Sequence, residues 1–109
     1  MISALILTCV FTEPFFSVVV DESARRVTVD ASYDEPSPPA TFPFKTFTVN
    51  GGETLLTYGQ NRVLAYRHDG RGSDGMSGRV YPWSAEDRSG GFRPLHGGCF
   101  SAEEPPLGE

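Results

Sequence analysis

Alternating apolar and polar residues mark two strands in the first third of the chain. In residues 26–31, Val27 and Val29 share one face and polar side chains occupy the other. Residues 15–20 are a run of aromatic and β-branched residues, a composition that also favours a strand. The polar residues 21–24 separate the two segments, so the pattern predicts a first β-hairpin.

A second hairpin is predicted in the middle of the chain. Residues 44–49 and 53–58 have strand-like patterns, and residues 50–52 between them read Asn-Gly-Gly. These three residues tolerate the positive φ angles of a tight turn. A further turn at 59–61 leads into residues 62–68, which alternate again, so the pattern predicts a meander.

The remaining segments are rich in residues that form turns and loops. Four prolines in residues 34–43 remove backbone donors, so this stretch is predicted to be an exposed crossover. Residues 68–78 are predicted to form a long glycine-rich loop. Two short strands are predicted after it, at 79–83 and 92–95, with a turn at 89–91 between them.

The fold class follows from these elements. No segment has the 3.6-residue apolar period of a helix, so the chain is predicted to be all-β. Short strands at regular spacing are typical of a small antiparallel barrel or sandwich, here of about six to eight strands. The 109 residues have room for one domain, which we place at residues 1–102. Residues 103–109 are predicted to be a disordered tail.

Charge and hydropathy narrow the choice of partners. The net charge is -5 and the isoelectric point is about 4.9, so the surface field repels phosphate backbones and anionic headgroups. A nucleic-acid partner is therefore not expected. No apolar run approaches the roughly 20 residues of a membrane-spanning helix, so no transmembrane segment is predicted.

The apolar residues 2–10 include Cys9 and share some features with a lipoprotein leader. They lack a preceding lysine or arginine, and Thr8 stands where glycine, alanine or serine is normally required. No signal peptide is therefore evident, and we expect this segment to lead into the first strand.

Three short motifs carry a resemblance to a known family. Residues 12–16 read TEPFF, residues 72–83 read GSDGMSGRVYPW, and residues 97–100 read GGCF. They resemble the motifs GTEPFW, CSDGMSDRxYPY and GCC of a family of small bacterial envelope proteins whose function is unknown. The resemblance covers nearly the whole folded chain and implies a periplasmic or cell-envelope location.

The resemblance also implies a disulfide bond between Cys9 and Cys99, the two cysteines of the chain. Such a bond suits an oxidising compartment. The family has further cysteines at the positions that hold Gly72 and Phe100 here, and their joint loss is expected if those two formed a second bond. The alternative is a pair of buried free thiols in a cytosolic chain.

The segment around Asp74 has two interpretations. As a binding site it offers hydroxyl and carboxylate acceptors, glycines that permit close backbone approach, and the forked donor of Arg79. As a structural feature, Asp74 caps its own loop, Met76 plugs the barrel end, and Arg79 pairs with Glu13 or Asp74, with a buried pair to Glu13 preferred. The candidate binding residues are Glu13, Ser73, Asp74, Gly75, Met76, Arg79 and Tyr81.

Aromatic residues near this segment also have two interpretations. Tyr81, Trp83 and Phe92 form either an exposed patch for a sugar or protein partner or a part of the core. Aromatic residues at alternating strand positions are usually buried, which favours the core.

Motifs for catalysis or metal binding find little support. Residues 75–78 do not match G-x-S-x-G, and a calcium loop starting at Asp69 would require a carboxylate where Val80 stands. With Cys9 in a disulfide, too few histidine and cysteine ligands remain for zinc. We therefore predict no metal, no cofactor and no enzymatic activity.

The leading functional hypothesis is a non-catalytic binding or structural module of the envelope. Its size and β architecture resemble membrane-bound inhibitors of C-type lysozyme, and an acidic surface suits a basic lysozyme. The expected partner is then a cell-wall hydrolase, bound by a monomer. The competing hypothesis is a small enzyme or ligand-binding site centred on Asp74, Arg79 and Glu13.

Overall fold

A closed antiparallel barrel is formed by the residues that the structure, a computed structural model, describes: 5–12, 15–30, 38–89 and 93–108. Each strand pairs with the next in the chain, and the last strand pairs with the first. The predicted all-β barrel with meander connections is confirmed. Within the described ranges the strands are β1 (Ile6–Thr12), β2 (Phe15–Asp21), β3 (Arg26–Asp30), β4 (Ala40–Asn50), β5 (Glu53–Tyr58), β6 (Arg62–Arg67), β7 (Trp83–Asp87) and β8 (Leu95–Phe100).

The interior of the barrel is a packed core. Successive side chains of a strand point to opposite faces, so alternate residues such as Leu7, Cys9 and Phe11 in β1 point inward and are buried. A barrel of eight strands is just wide enough for such side chains to fill. The buried cluster comprises Leu7, Cys9, Phe11, Val18, Val20, Val27, Leu56, Tyr58, Leu64, Tyr66, Trp83, Ala85 and Cys99.

Both predicted hairpins are confirmed. The turn between β2 and β3 is closed by Asp21, whose Oδ1 accepts a hydrogen bond from the Ala24 backbone N–H at 3.0 Å. The turn between β4 and β5 contains Gly51 and Gly52 with φ of 62° and 84°, a region that favours glycine. Local turn chemistry therefore sets the register of both hairpins.

Three other predicted elements differ from the structure. Strand β4 begins at Ala40 and contains Pro43, so the crossover prediction is wrong for residues 40–43, while residues 31–37 lie outside the described part. Pro43 is tolerated because it faces Arg26 at the end of the β3–β4 ladder, where a missing donor interrupts little. The strands predicted at 79–83 and 92–95 lie a few residues later in the chain, as β7 and β8. These two strands contain glycines and acidic residues, which have low strand propensity, so the sequence pattern does not mark them.

The C-terminal segment lies against the loop between β6 and β7. Leu107 and Val80 exchange two backbone hydrogen bonds of 2.8 Å, and Ser101 and Glu104 exchange two more. These contacts position residues 101–107, which include the first five residues of the segment 103–109 that the sequence predicts to be a disordered tail. In the described part of the chain, we find no helix of the length and apolarity needed to cross a membrane.

Candidate functional site

A disulfide bond joins the first and last strands of the barrel. Cys9 and Cys99 face each other in the β1–β8 register, and their Cα atoms lie 4.0 Å apart. Both side chains are fully buried. The predicted bond is confirmed, and it fixes the seam at which the barrel closes. A structural disulfide is consistent with an oxidising compartment outside the cytoplasm.

The two glycines before Cys99 make room for aromatic rings on both sides of the sheet. A Cβ atom on Gly97 would lie 2.3 Å from the Val10 carbonyl oxygen and 2.8 Å from the Phe11 ring, inside the barrel. A Cβ atom on Gly98 would lie 2.6 Å from the Tyr81 ring, on the outer face. Close packing at the seam therefore explains the Gly-Gly-Cys sequence.

Tyr81 anchors the loop of residues 68–82 to this seam. Its side chain is buried, and its backbone exchanges hydrogen bonds of 2.9 and 3.1 Å with Gly72. Its ring centroid lies 6.1 Å from that of Phe100. Tyr81 is thus a neighbour of both Gly72 and Phe100. These are the two residues that stand where the resembling family has cysteines. A Cβ atom on Gly72 would lie 1.9 Å from the Trp83 carbonyl oxygen.

The carboxylate of Asp74 organises the tip of the loop. Its Oδ1 accepts hydrogen bonds from the backbone N–H groups of Met76 and Ser77, at 2.9 and 2.8 Å. Its Oδ2 accepts from the hydroxyl groups of Ser77 and Tyr81, at 2.7 and 2.9 Å. The hydrogen bond from Met76, followed by those from Ser77 and Tyr81, holds the pKa of Asp74 well below its usual range. These contacts fit the interpretation of Asp74 as a cap for its own loop.

Replacing Asp74 with asparagine is expected to destabilise the protein at pH 7 by about 1 kcal/mol, since an amide cannot accept at both positions. Because the folded-state pKa is lowered, the ionised carboxylate stabilises the fold above the ordinary aspartate pKa of about 3.9. That stabilisation is lost as the pH falls below this value. Urea denaturation of both proteins at several pH values should show the difference shrinking between about pH 4 and pH 2.

Glu103→Gln serves as the control for removal of one negative charge, because Glu103 lies in the exposed C-terminal segment. We expect its stability to match that of the wild type at pH 7. A difference between Asp74→Asn and wild type that stayed constant down to pH 2 would contradict the assignment of this stabilisation to the ionised carboxylate.

The other predicted site residues are dispersed around the loop. Ser73 accepts a hydrogen bond from the Gly75 backbone N–H at 3.0 Å, so it also supports the loop. The Met76 side chain is 68% exposed, so the prediction that it plugs the barrel end is wrong. Arg79 is exposed as well, which does not fit the expected buried pair, and Glu13 lies outside the described residues.

The aromatic residues around the loop are largely buried. Trp83 points into the barrel opposite Cys99, and its ring stacks on His68 with centroids 4.3 Å apart. Tyr81 is buried between the loop and β8. The core interpretation is confirmed for these two residues, while Phe92 lies outside the described part of the chain.

An open groove of about 410 Å³ lies where the loop meets β1 and β2. The hydroxyl of Thr12 donates a hydrogen bond to the Asp74 carbonyl oxygen, which ties the end of β1 to the loop. We name this groove the motif groove, because it contains residues from both TEPFF and GSDGMSGRVYPW. Its described lining residues are Val10, Phe11, Thr12, Phe15, Phe16, Ser17, Asp30, Asp74 and Tyr81.

The motif groove combines aromatic walls with negative charge. Phe15 is 49% exposed, and the Phe16 ring stacks on Phe11 with centroids 4.6 Å apart. Burial, followed by the neighbouring Asp74 carboxylate, raises the pKa of the Tyr81 hydroxyl, which therefore stays neutral. The arrangement is suited to binding an apolar or aromatic group.

Sequence reasoning missed several residues of the motif groove. Ser17 and Asp30 face each other across β2 and β3, and Thr12 ends β1. Strict alternation along β2 and β3 places Ser17 and Asp30 on the outer face, but only the course of the loop brings that face next to Asp74. In the described part, no group of three histidine, cysteine, aspartate or glutamate side chains is placed to hold a metal ion.

Comparison with known proteins found no match: no protein-family model, no curated protein and no solved structure is significantly similar to this chain. The resemblance to the envelope family therefore stays a prediction from the motifs.

Proposed function

We propose that the protein is a small non-catalytic binding module of the bacterial envelope, and that the motif groove is its binding surface. The observation that carries this proposal is the convergence of two motifs, distant in sequence, on one open and largely apolar groove. Packing explains the glycines of the third motif, whereas Phe15 is 49% exposed at the groove and is free to contact a partner.

A protein partner of basic character fits the charge of the chain. The net charge of -5 over the whole chain favours association with a cationic surface. In the envelope, a cell-wall hydrolase such as a C-type lysozyme is a partner of this kind. The filled barrel interior supports binding on the outside of the barrel rather than within it.

The competing hypothesis of an enzyme or ligand site centred on Asp74, Arg79 and Glu13 receives less support. The Asp74 carboxylate accepts hydrogen bonds from three residues of its own loop, which leaves little capacity for a substrate. Arg79 is exposed and provides no enclosed anion site.

The test is the binding and inhibition of a purified C-type lysozyme by three proteins: wild type, Phe15→Ser and Val49→Ser. Val49 is 64% exposed near the β4–β5 turn, so it is a matched control for loss of an exposed apolar side chain. We expect wild type and Val49→Ser to bind equally and Phe15→Ser to bind about tenfold more weakly, as for loss of an aromatic contact worth about 1.4 kcal/mol.

Calorimetry gives the dissociation constants, and the rate of cell-wall lysis shows whether binding inhibits the enzyme. Equal affinity in all three proteins would contradict the assignment of the motif groove. A lysozyme that neither binds the wild type nor is slowed by it would contradict the proposed partner.

A further inference from the structure

A second groove, of about 460 Å³, lies between the loop of residues 68–82 and the C-terminal segment. We name it the tail groove. Of its described lining residues, only Tyr81 also lines the motif groove. The lining residues are His68, Gly70, Val80, Tyr81, Pro82, Glu103, Glu104, Pro105 and Leu107.

The walls of the tail groove are held in place by the fold. The paired hydrogen bonds between Val80 and Leu107 join its two sides, and the ring of His68 is stacked on the buried Trp83. Two prolines in its lining restrict the backbone further. A preformed groove of this kind loses little conformational entropy when a ligand binds.

The apolar part of the tail groove is exposed. Val80 is 46% exposed and Leu107 is 69% exposed, and their backbone pairing places them side by side. Val80 and Leu107 therefore form an exposed apolar edge of the groove.

The charge of the tail groove is negative. Glu103 and Glu104 are both exposed, and the described lining residues include neither lysine nor arginine. Glu104 lies 2.9 Å from His68 Nε2, in a contact that is itself exposed to solvent. Among the described lining residues, an approaching cation would therefore meet the carboxylates of Glu103 and Glu104, the second of which also contacts His68.

We propose that the tail groove binds a short cationic segment of a protein. An apolar side chain of that segment packs on Val80 and Leu107, and a neighbouring lysine or arginine pairs with Glu103 and Glu104. Charge complementarity selects this occupant over an acidic or neutral peptide. The inference goes beyond the motif groove, because it rests on different residues and a different ligand.

The probe is a short fluorescein-labelled peptide in which three lysines alternate with two leucines, and fluorescence anisotropy with the full chain measures its binding. We expect Glu103→Gln/Glu104→Gln to weaken binding about fivefold, as for two exposed charge pairs. Leu107→Ser is expected to weaken binding by a similar factor through loss of apolar contact. Replacing the lysines of the peptide with glutamates should abolish binding.

The control is Glu53→Gln/Glu86→Gln, which removes the same charge from the pair of carboxylates that bind Arg88 on the β5 to β7 face. Circular dichroism of each variant checks that it is folded. Equal weakening of peptide binding by both double variants would mean that only net charge matters, and it would overturn the proposal. The absence of peptide binding to the wild type would also overturn it. Phe15→Ser should bind the peptide as wild type does, so failure of the motif groove and failure of the tail groove are distinguishable.

Discussion

Replacing Cys9 and Cys99 together with alanine is expected to lower the free energy of unfolding by about 4 to 5 kcal/mol. The bond spans 90 positions, so its removal frees nearly the whole unfolded chain from one long closed loop. The two sulfur atoms also belong to the packed core, and alanine does not fill their volume. Urea denaturation of the wild type and the double variant, both without reductant, measures the difference.

The buried position of the disulfide provides a kinetic control. Because both cysteines are fully buried, we expect a reductant to reach the bond in the wild type only when the barrel opens. Thiol release should therefore accelerate with urea concentration. A loss of stability below about 1 kcal/mol in the double variant would contradict the role of this bond in holding the seam closed.

Replacing Gly98 with alanine is expected to lower the free energy of unfolding by about 1 to 3 kcal/mol, the usual cost of overpacking. The added Cβ would lie 2.6 Å from the Tyr81 ring, so either the ring or strand β8 must move. Gly78→Ala is the matched control, because a Cβ at that position meets no atom within 4 Å. We expect its stability to stay within about 0.5 kcal/mol of the wild type.

A double-mutant cycle with Tyr81→Ala shows whether the cost arises from the ring. If Tyr81 sits on Gly98 as the structure indicates, Gly98→Ala should cost less once the ring is absent, with the remaining cost due to the Cβ atom of residue 81, which lies 2.8 Å from the added Cβ. The same cost in both backgrounds would mean that Gly98 is required for another reason, and that the loop is anchored elsewhere.

The three motifs therefore have a shared structural role at the barrel seam. Cys99 joins the last strand to the first, Gly98 receives Tyr81, and the Tyr81 hydroxyl reaches Asp74 at the tip of the loop. The loop in turn holds the end of β1 through Thr12. The motif groove is the open space that this arrangement leaves beside the exposed Phe15.

The parts of the fold that sequence reasoning predicted are those with strong local signals. The β4–β5 hairpin has alternating strands on both sides of an Asn-Gly-Gly turn. The alternation and the turn are each visible in residues that are adjacent in sequence. Strand β8 has a weak strand signal in the sequence, because it contains Gly97 and Gly98. These glycines are required by close contacts with aromatic rings that are distant in sequence. Its position depends on tertiary packing rather than on strand propensity.

The candidate site was predictable only in part. The role of Asp74 as a cap follows from an aspartate ahead of a glycine-rich turn, a local pattern. The contribution of Thr12, Ser17 and Asp30 to the motif groove depends on where the loop crosses the barrel. That course is set by Tyr81 and Gly98, and neither residue reveals its partner in the sequence.

The most direct test of the proposed function is a nuclear magnetic resonance titration of the isotope-labelled full chain with a purified C-type lysozyme. The motif groove predicts that amide shifts concentrate at Thr12, Phe15, Phe16, Asp74 and Tyr81, with the β4–β5 turn unaffected. Shifts confined to another face of the barrel, or no shifts at a saturating lysozyme concentration, would contradict the motif groove as the surface that binds this partner.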